Sequence, residues 1–377
     1  MKHLLIFFLA LQLIACGGGV DNAEPPAELI DFTASAKLSV IKEIEYSASV
    51  SRFARVKPLQ LDDVIVFSEV NGEVTVFSKQ SMDIIWQKKL ENISPTAIGG
   101  NNKVYLLGTR SGEVIALAAK TGDQLWRVRV SSEVLARPVT VEGVVVVKTV
   151  DGQITGLDLS NGNEKWIYKK DVPALSVRGN STPLVIDQKI ITGLDNGKLV
   201  ILDLFSGVLI WEKTVTIPRG RSETERLVDL DADIIIDKNI IYIAGFQGRV
   251  VALDLATGEF LWIKKMSVIR NMTLDDGQLY ITDVLSHIWA VDVMTGATVW
   301  KQGAFTARKL TTASVMDDYL LLGDYQGYLH VLAKADGHLV ARHQVEESGI
   351  DISPLIFDNK IYIQNRNSKI FILQLKP

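Results

Sequence analysis

The chain has 377 residues, 47% hydrophobic and 22% charged, with a formal net charge of −4. This composition supplies apolar material for one large core or several small ones. It gives no electrostatic ground for a nucleic-acid partner, whose phosphates require clustered Lys and Arg.

Met1 to Ala15 has the pattern of a signal peptide: Lys2 is the positive start, and Leu4 to Ile14 form an apolar run broken only by Gln12. The run is too short to span a bilayer. It ends in Leu13-Ile14-Ala15-Cys16, and Cys16 is the only cysteine. A core cysteine is one reading. The other is that this stretch resembles the lipobox of bacterial lipoproteins, where the cysteine becomes the N-terminus and carries lipid on its thiol and amine. That resemblance implies a near-permanent anchor, because each buried acyl methylene contributes about 0.8 kcal/mol. It also implies the periplasmic face of the outer membrane, since Gly17 stands where inner-membrane lipoproteins carry aspartate. Residues 16–36 are expected to be a tether. Gly17-Gly18-Gly19 and the Pro and acid of Asn22 to Glu28 read as a stalk that packs against nothing. With one cysteine no internal disulfide forms, so stability must come from packing.

A repeated phrase fills the rest, residues 37–377. Asn71-Gly72 leads to Trp86, Ser111-Gly112 through Thr121-Gly122 to Trp126, and Asp151-Gly152 through Asn161-Gly162 to Trp166. The phrase returns at Asn196-Gly197 to Trp211, Gln247-Gly248 to Trp262, Ser286 to Trp300 and Gln326-Gly327 to Ala341, and a half-copy ends the chain at Asn367 to Leu373. β-Branched residues flanking Asn-Gly or Ser-Gly indicate a hairpin, because these residues tolerate the positive φ of tight turns. Asp-x-x-Thr-Gly, as in Asp254 to Gly258, makes a second turn. Four short strands in about forty residues describe a propeller blade, with one Trp per blade packed between adjacent sheets.

Counting back forty from Trp86 reaches Tyr46, in strand-like sequence with no hairpin before it. The orphan strand from Lys37 to Val50 is therefore expected to complete the blade that the C-terminus leaves one strand short. The expected fold is all-β: an eight-bladed propeller of four-stranded antiparallel blades, closed by the N-terminal strand. An open solenoid is the alternative, and it would need polar end caps that the sequence does not show.

No catalytic constellation is evident. His287, His330, His338 and His343 are read as isolated surface residues, away from Cys or paired carboxylates at metal-ligand spacing. No Gly-rich phosphate loop leads from a strand into a helix. Asp158, Asp203, Asp254 and Asp292 are equivalent by register, which favours a structural turn role. The repeat resembles that of the quinone-dependent dehydrogenases, which implies an alternative function. The chain lacks their adjacent cysteine pair and their long inserted loops, and no cofactor or metal is expected.

Function is expected where the repeats differ. There are 26 residues from Trp86 to Gly112 and from Trp126 to Gly152, but 31 from Trp166 to Gly197 and 37 from Trp211 to Gly248. Two consecutive connections are thus long, and they should emerge on one face. The first contains Pro173 to Gly179, with Leu175, Val177 and Arg178; the second runs from Pro218 to Asp231. Apolar loop residues beside an Arg, opposite two aspartates, suit a protein-binding patch. The alternative is that Leu175 and Val177 tuck between blades and Arg178 pairs with Asp229 or Asp231.

The lipobox, the Gly-rich stalk, the eight-bladed repeat, Leu-Ser-Val-Arg-Gly and Arg-Leu-x-Asp-x-Asp together resemble the BamB family of outer-membrane protein assembly lipoproteins. The resemblance implies a non-enzymatic protein that binds the periplasmic domains of BamA, reaches the other lipoproteins of that machinery indirectly, and helps unfolded β-barrel precursors reach the membrane. It implies BamA contacts at Leu175, Val177, Arg178, Asp229 and Asp231. In this chain Ala341 and Tyr46 stand in place of two blade tryptophans. Precursor strands are also expected to pair transiently with blade edges.

Overall fold

Thirty-two strands form eight four-stranded antiparallel sheets in the computed structural model, which describes residues 24–47, 56–170, 181–217, 222, 228–230 and 232–376. Blade 1 consists of Leu59–Gln60, Val64–Ser68, Glu73–Ser78 and Ile84–Lys89, paired in chain order. Blades 2 to 7 follow, from Pro95–Gly100 to Leu339–Gln344. Blade 8 takes Leu355–Phe357, Lys360–Gln364 and Lys369–Lys376 from the C-terminal end and its outer strand, Lys37–Glu45, from the N-terminal end. The expected closure is observed, and it leaves no blade incomplete.

Burial follows position in the blade. First strands of adjacent blades approach one another around the axis. Second and third strands, such as Val144–Lys148 and Gln153–Asp158, are almost entirely buried because neighbouring sheets cover both faces. Burying each Val, Ile or Leu there contributes about 1.5–3 kcal/mol. Outer strands alternate, and in Gln124–Arg129 only Trp126 is buried.

Each tryptophan on an outer strand docks on the following blade. The indole N–H of Trp86 donates to the Ala119 carbonyl at 2.9 Å, Trp126 to Leu159 at 2.8 Å, Trp166 to Leu204 at 2.9 Å, Trp262 to Val293 at 2.7 Å and Trp300 to Lys334 at 2.8 Å. All five acceptors lie in the Asp-x-x-Thr-Gly type turn of the next blade. The glycine of that turn lies against the ring: a Cβ on Gly162, at φ +76°, would stand 2.8 Å from Trp126 Cε3.

Tyr46 does not occupy the tryptophan position, contrary to the count. Trp86 pairs with Val76, and the matching partner of Ile372 in blade 8 is Lys42. Tyr46 lies beyond the strand end, buried against Phe67 and Phe77 of blade 1 with ring centroids 5.0 and 5.8 Å away. Its hydroxyl donates to Glu69 at 2.5 Å and accepts from Gln364 at 2.6 Å, joining blades 8 and 1. Ala341, opposite Val331, does occupy the tryptophan position of blade 7.

Part of the segment expected to be a tether packs on the propeller. Cys16 and Gly17 to Gly19 lie outside the described residues, but from Ala27 the chain is fixed to the propeller. Ala27 N–H donates to the Thr306 carbonyl at 2.9 Å, and Arg308 Nη1 donates to the Ala27 carbonyl at 2.8 Å. Arg342 donates to the Ile30 carbonyl at 3.1 Å and covers the Phe32 ring, and Ser35 N–H reaches Val340 at 3.1 Å.

Candidate functional site

Antiparallel order places every blade-to-blade connection on the face that carries the turns between second and third strands. The connections run over those turns: Leu90 N–H donates to Gly72, Val130 to Gly112, Val215 to Gly197 and Val345 to Gly327, each at 2.9 Å. The two long connections follow the outer strands Glu164–Lys169 of blade 3 and Leu209–Thr214 of blade 4. Of the expected contact residues, Leu175, Val177, Arg178 and Asp231 lie outside the described residues, and only Asp229 is described.

Their ends are tied together. Where the first connection enters blade 4, Thr182 N–H donates to Asp233 Oδ1 at 2.8 Å, and Asp233 lies at the end of the second connection. Asp233 also bonds Asn271 of blade 6, accepting from its amide, while its own N–H donates to Asn271 Oδ1 at 2.9 Å. Lys57, entering blade 1, reaches Asp233 at 3.4 Å from the far side of the ring. Arg137, entering blade 3, donates to the Pro58 carbonyl at 2.9 Å; burial draws its guanidinium below the usual value while Asp233 acts in the opposite sense. Groups from five blades thus meet at the axis on this face.

Elsewhere the same loops are held from below. Lys148 is buried and donates to Ser181 Oγ at 3.0 Å and to the Gly193 carbonyl at 2.8 Å. Glu212 accepts from Lys198 at 2.7 Å and Lys170 at 2.9 Å, and these bonds hold its carboxyl below the usual range. Asp229 is fully buried, where an exposed partner contact was expected. Its carbonyl accepts from Phe246 N–H at 2.9 Å, and the adjoining Leu230 side chain fills the space beside Gly193.

The repeated aspartates serve the turns. Asp254 Oδ1 accepts from the N–H groups of Ala256 and Thr257 at 2.9 and 2.8 Å, and Asp203 and Asp292 do the same in their blades. The hydroxyl, lysine and N–H of Ser160 and Lys165 hold the Asp158 carboxyl at about 2.

His330 is a correction: read as a surface residue, it is fully buried. Its Nε2 lies 3.0 Å from Asp324 Oδ2, and its ring is 4.7 Å from that of Phe305. Asp324 also accepts from Arg308 Nε at 2.8 Å and from the N–H groups of Gln326 and Tyr328 at 2.9 and 3.0 Å. Burial alone would raise the Asp324 carboxyl, but the His330 bond and the other donors prevail and lower it. Burial lowers the His330 imidazole despite Asp324. A neutral ring must then carry its proton on Nε2. The signal was in the register: His330 shares its place in the third strand with Thr75, which is buried.

This geometry matches a family built on the same ring. The family model for outer membrane protein assembly factor BamB matches residues 55–302. The chain belongs to the BamB family. Outer membrane protein assembly factor BamB of Shewanella oneidensis is 30% identical over 99% of this chain and 98% of its own length. That of Pseudomonas aeruginosa is 33% identical over 98% and 97%. The crystal structure of BamB from Moraxella catarrhalis superposes with a TM-score of 0.81 at 26% identity, covering 90% of this chain and all of that one. A quinohemoprotein alcohol dehydrogenase from Comamonas testosteroni shares the fold, with a TM-score of 0.68 at 13% identity over 89% of this chain and 76% of its own.

Proposed function

We propose that this chain is an outer membrane protein assembly factor acting as a non-catalytic scaffold. In this reading it is lipidated at Cys16 after removal of residues 1–15, sits on the periplasmic face of the outer membrane, and docks on BamA through its two long connections. Leu175 and Val177 are the apolar anchors, and Arg178 and Asp231 orient the partner. Asp229, being buried, supports the surface from within. The Thr182–Asp233 bond carries the reading, because it ties the ends of the two long connections to one another. A pre-ordered surface loses less entropy on binding than two independent loops. β-Barrel precursors meet the outer-strand edges, where Leu125, Ile167, Leu261 and Val299 are exposed.

Arg178→Ala tests the docking surface in a pull-down with BamA periplasmic domains, measured beside the melting temperature. The expected result is at least a tenfold loss of affinity with an unchanged melting temperature. Parallel loss of both would instead support an internal pairing of Arg178 with Asp229 or Asp231.

A further inference from the structure

The residue before the Gly or Ser at the turn between second and third strands is Asn, Ser, Asp or Gln in every blade but one, from Asn71 in blade 1 to Asn367 in blade 8. In blade 6 it is Leu285, 48% exposed, preceded by Val284 at 38%. Ile269, in the connection entering the same blade, is 43% exposed. Val284 N–H donates to the Ser267 carbonyl at 3.1 Å, so the three apolar side chains belong to adjoining segments of one face. A solvated hairpin has no use for an apolar tip, and no other blade has one at the position of Leu285, although Val70, Val150 and Phe246 stand half-buried where blade 6 has Val284.

The position of this patch is not arbitrary with respect to the anchor. Ala307 N–H donates to the Leu285 carbonyl at 3.1 Å, and the neighbouring Thr306 carbonyl accepts from Ala27. Ala27 is the first of the described residues to bond to the propeller, and it is held there by buried Arg308. Ten residues lie between it and Cys16, a reach of at most about 40 Å even fully extended. Exposed Lys309, its Nζ 5.6 Å from the Tyr325 ring, adds a cation beside the patch.

We propose that Ile269, Val284 and Leu285 rest in the headgroup region of the phospholipid surface that receives the acyl chains of Cys16, with Lys309 toward the phosphates. The inference rests on the lipid-anchor reading above. The short tether and the apolar turn then act together: the first keeps the blade 6 side of the face near the membrane, and the second orients it. Blades 3 to 5, with the long connections, lie away from the anchor on the same face.

The test uses the acylated protein in vesicles of phosphatidylethanolamine and phosphatidylglycerol. Acylation blocks the Cys16 thiol, so Leu285→Cys and Val208→Cys each offer one site for an environment-sensitive fluorophore. Val208 is 62% exposed on a turn of the opposite face. The label at 285 is expected to shift to the blue and to be quenched severalfold more by headgroup nitroxide lipids than the label at 208. Val284→Asp with Ile269→Asp is expected to abolish the difference. Equal, water-like emission at both positions on acylated, vesicle-bound protein overturns the inference alone. Absence of acyl groups on Cys16 by mass spectrometry refutes the anchor reading and this inference with it.

Discussion

Gly162→Ala probes how tightly blades are docked. At Gly162 φ is +76°, and an added Cβ would lie 2.8 Å from both Trp126 Cε3 and Val128 Cγ1. Left-handed backbone costs a non-glycine residue about 1–2 kcal/mol, and overpacking a filled interface typically costs about 1–3 kcal/mol more. Gly143 supplies the reference. Its φ is +79°, nearly the same, but nothing lies within 4 Å of its Cβ position. Gly143→Ala should therefore carry only the backbone cost, and the excess for Gly162→Ala measures the contacts with Trp126 and Val128 together.

Urea unfolding followed by circular dichroism, with midpoints compared at unchanged slope, gives both values. Trp126→Ala, expected to cost about 3–5 kcal/mol by itself, closes the cycle. In that background Gly162→Ala should cost less than in the wild type, because the ring it would strike is gone, but still more than Gly143→Ala, because Val128 Cγ1 remains 2.8 Å from the added Cβ. A Gly162→Ala cost equal to that of Gly143→Ala in the wild-type background, or an undiminished cost without Trp126, would refute the docking argument.

Met82→Gly should destabilise although it relieves a residue at φ +58°, because the side chain is 4% exposed among Tyr46, Phe67 and Phe77. Its loss outweighs the relief by about 1–3 kcal/mol, and a raised urea midpoint would contradict this. The imidazole of His330 lies below its ordinary value in the folded protein, so the unfolded chain takes up the proton first as pH falls. Melting temperature should accordingly decline below about pH 6.5, and His330→Gln, which still donates to Asp324 but does not titrate there, should flatten that decline. An identical pH slope in both proteins would rule out His330 as its source.

The blade count was legible because each continuous blade obeys a local rule: two turns with fixed residue types set a constant distance from hairpin glycine to tryptophan. Blade 8 is assembled from both chain ends, so no turn joins Lys369–Lys376 to Lys37–Glu45 and no spacing is enforced there. That is why counting by forty reached Tyr46 when pairing places Lys42 opposite Ile372. The burial of Asp229 was not legible because extra length in a connection suggests exposure. The last residues of that connection instead pass beneath the surface, where Gly193 and Gly245 leave room for Leu230 and for the Asp229 backbone. The Lys57–Asp233 contact joins residues 176 apart across the ring, and no periodic pattern marks it.

The exceptions to the tryptophan rule have a common physical basis. Six tryptophans face six glycines, from Gly122 under Trp86 to Gly337 under Trp300; at five of them a Cβ on the turn would stand under 3.0 Å from the ring, and at Gly258 it would lie 3.5 Å from Trp211. Blade 7 faces blade 8, whose third strand pairs with Lys37–Glu45 from the N-terminal segment, so no turn joins the two and no turn carbonyl is offered to an indole. Ala341 stands there, and Ala36 and Leu38 of the incoming N-terminal segment cover it. Blade 8 faces blade 1, where the turn carries Met82 in place of glycine and Lys42 stands in place of tryptophan. Met82 fills from one side what a ring fills from the other at six interfaces, and Tyr46 completes that cluster. Tryptophan and glycine therefore vary as a pair. The two seams without them are those closed by the N-terminal segment from Ala36 to Tyr46, so one stretch of chain takes the place of the tryptophan–glycine contact on both sides of blade 8.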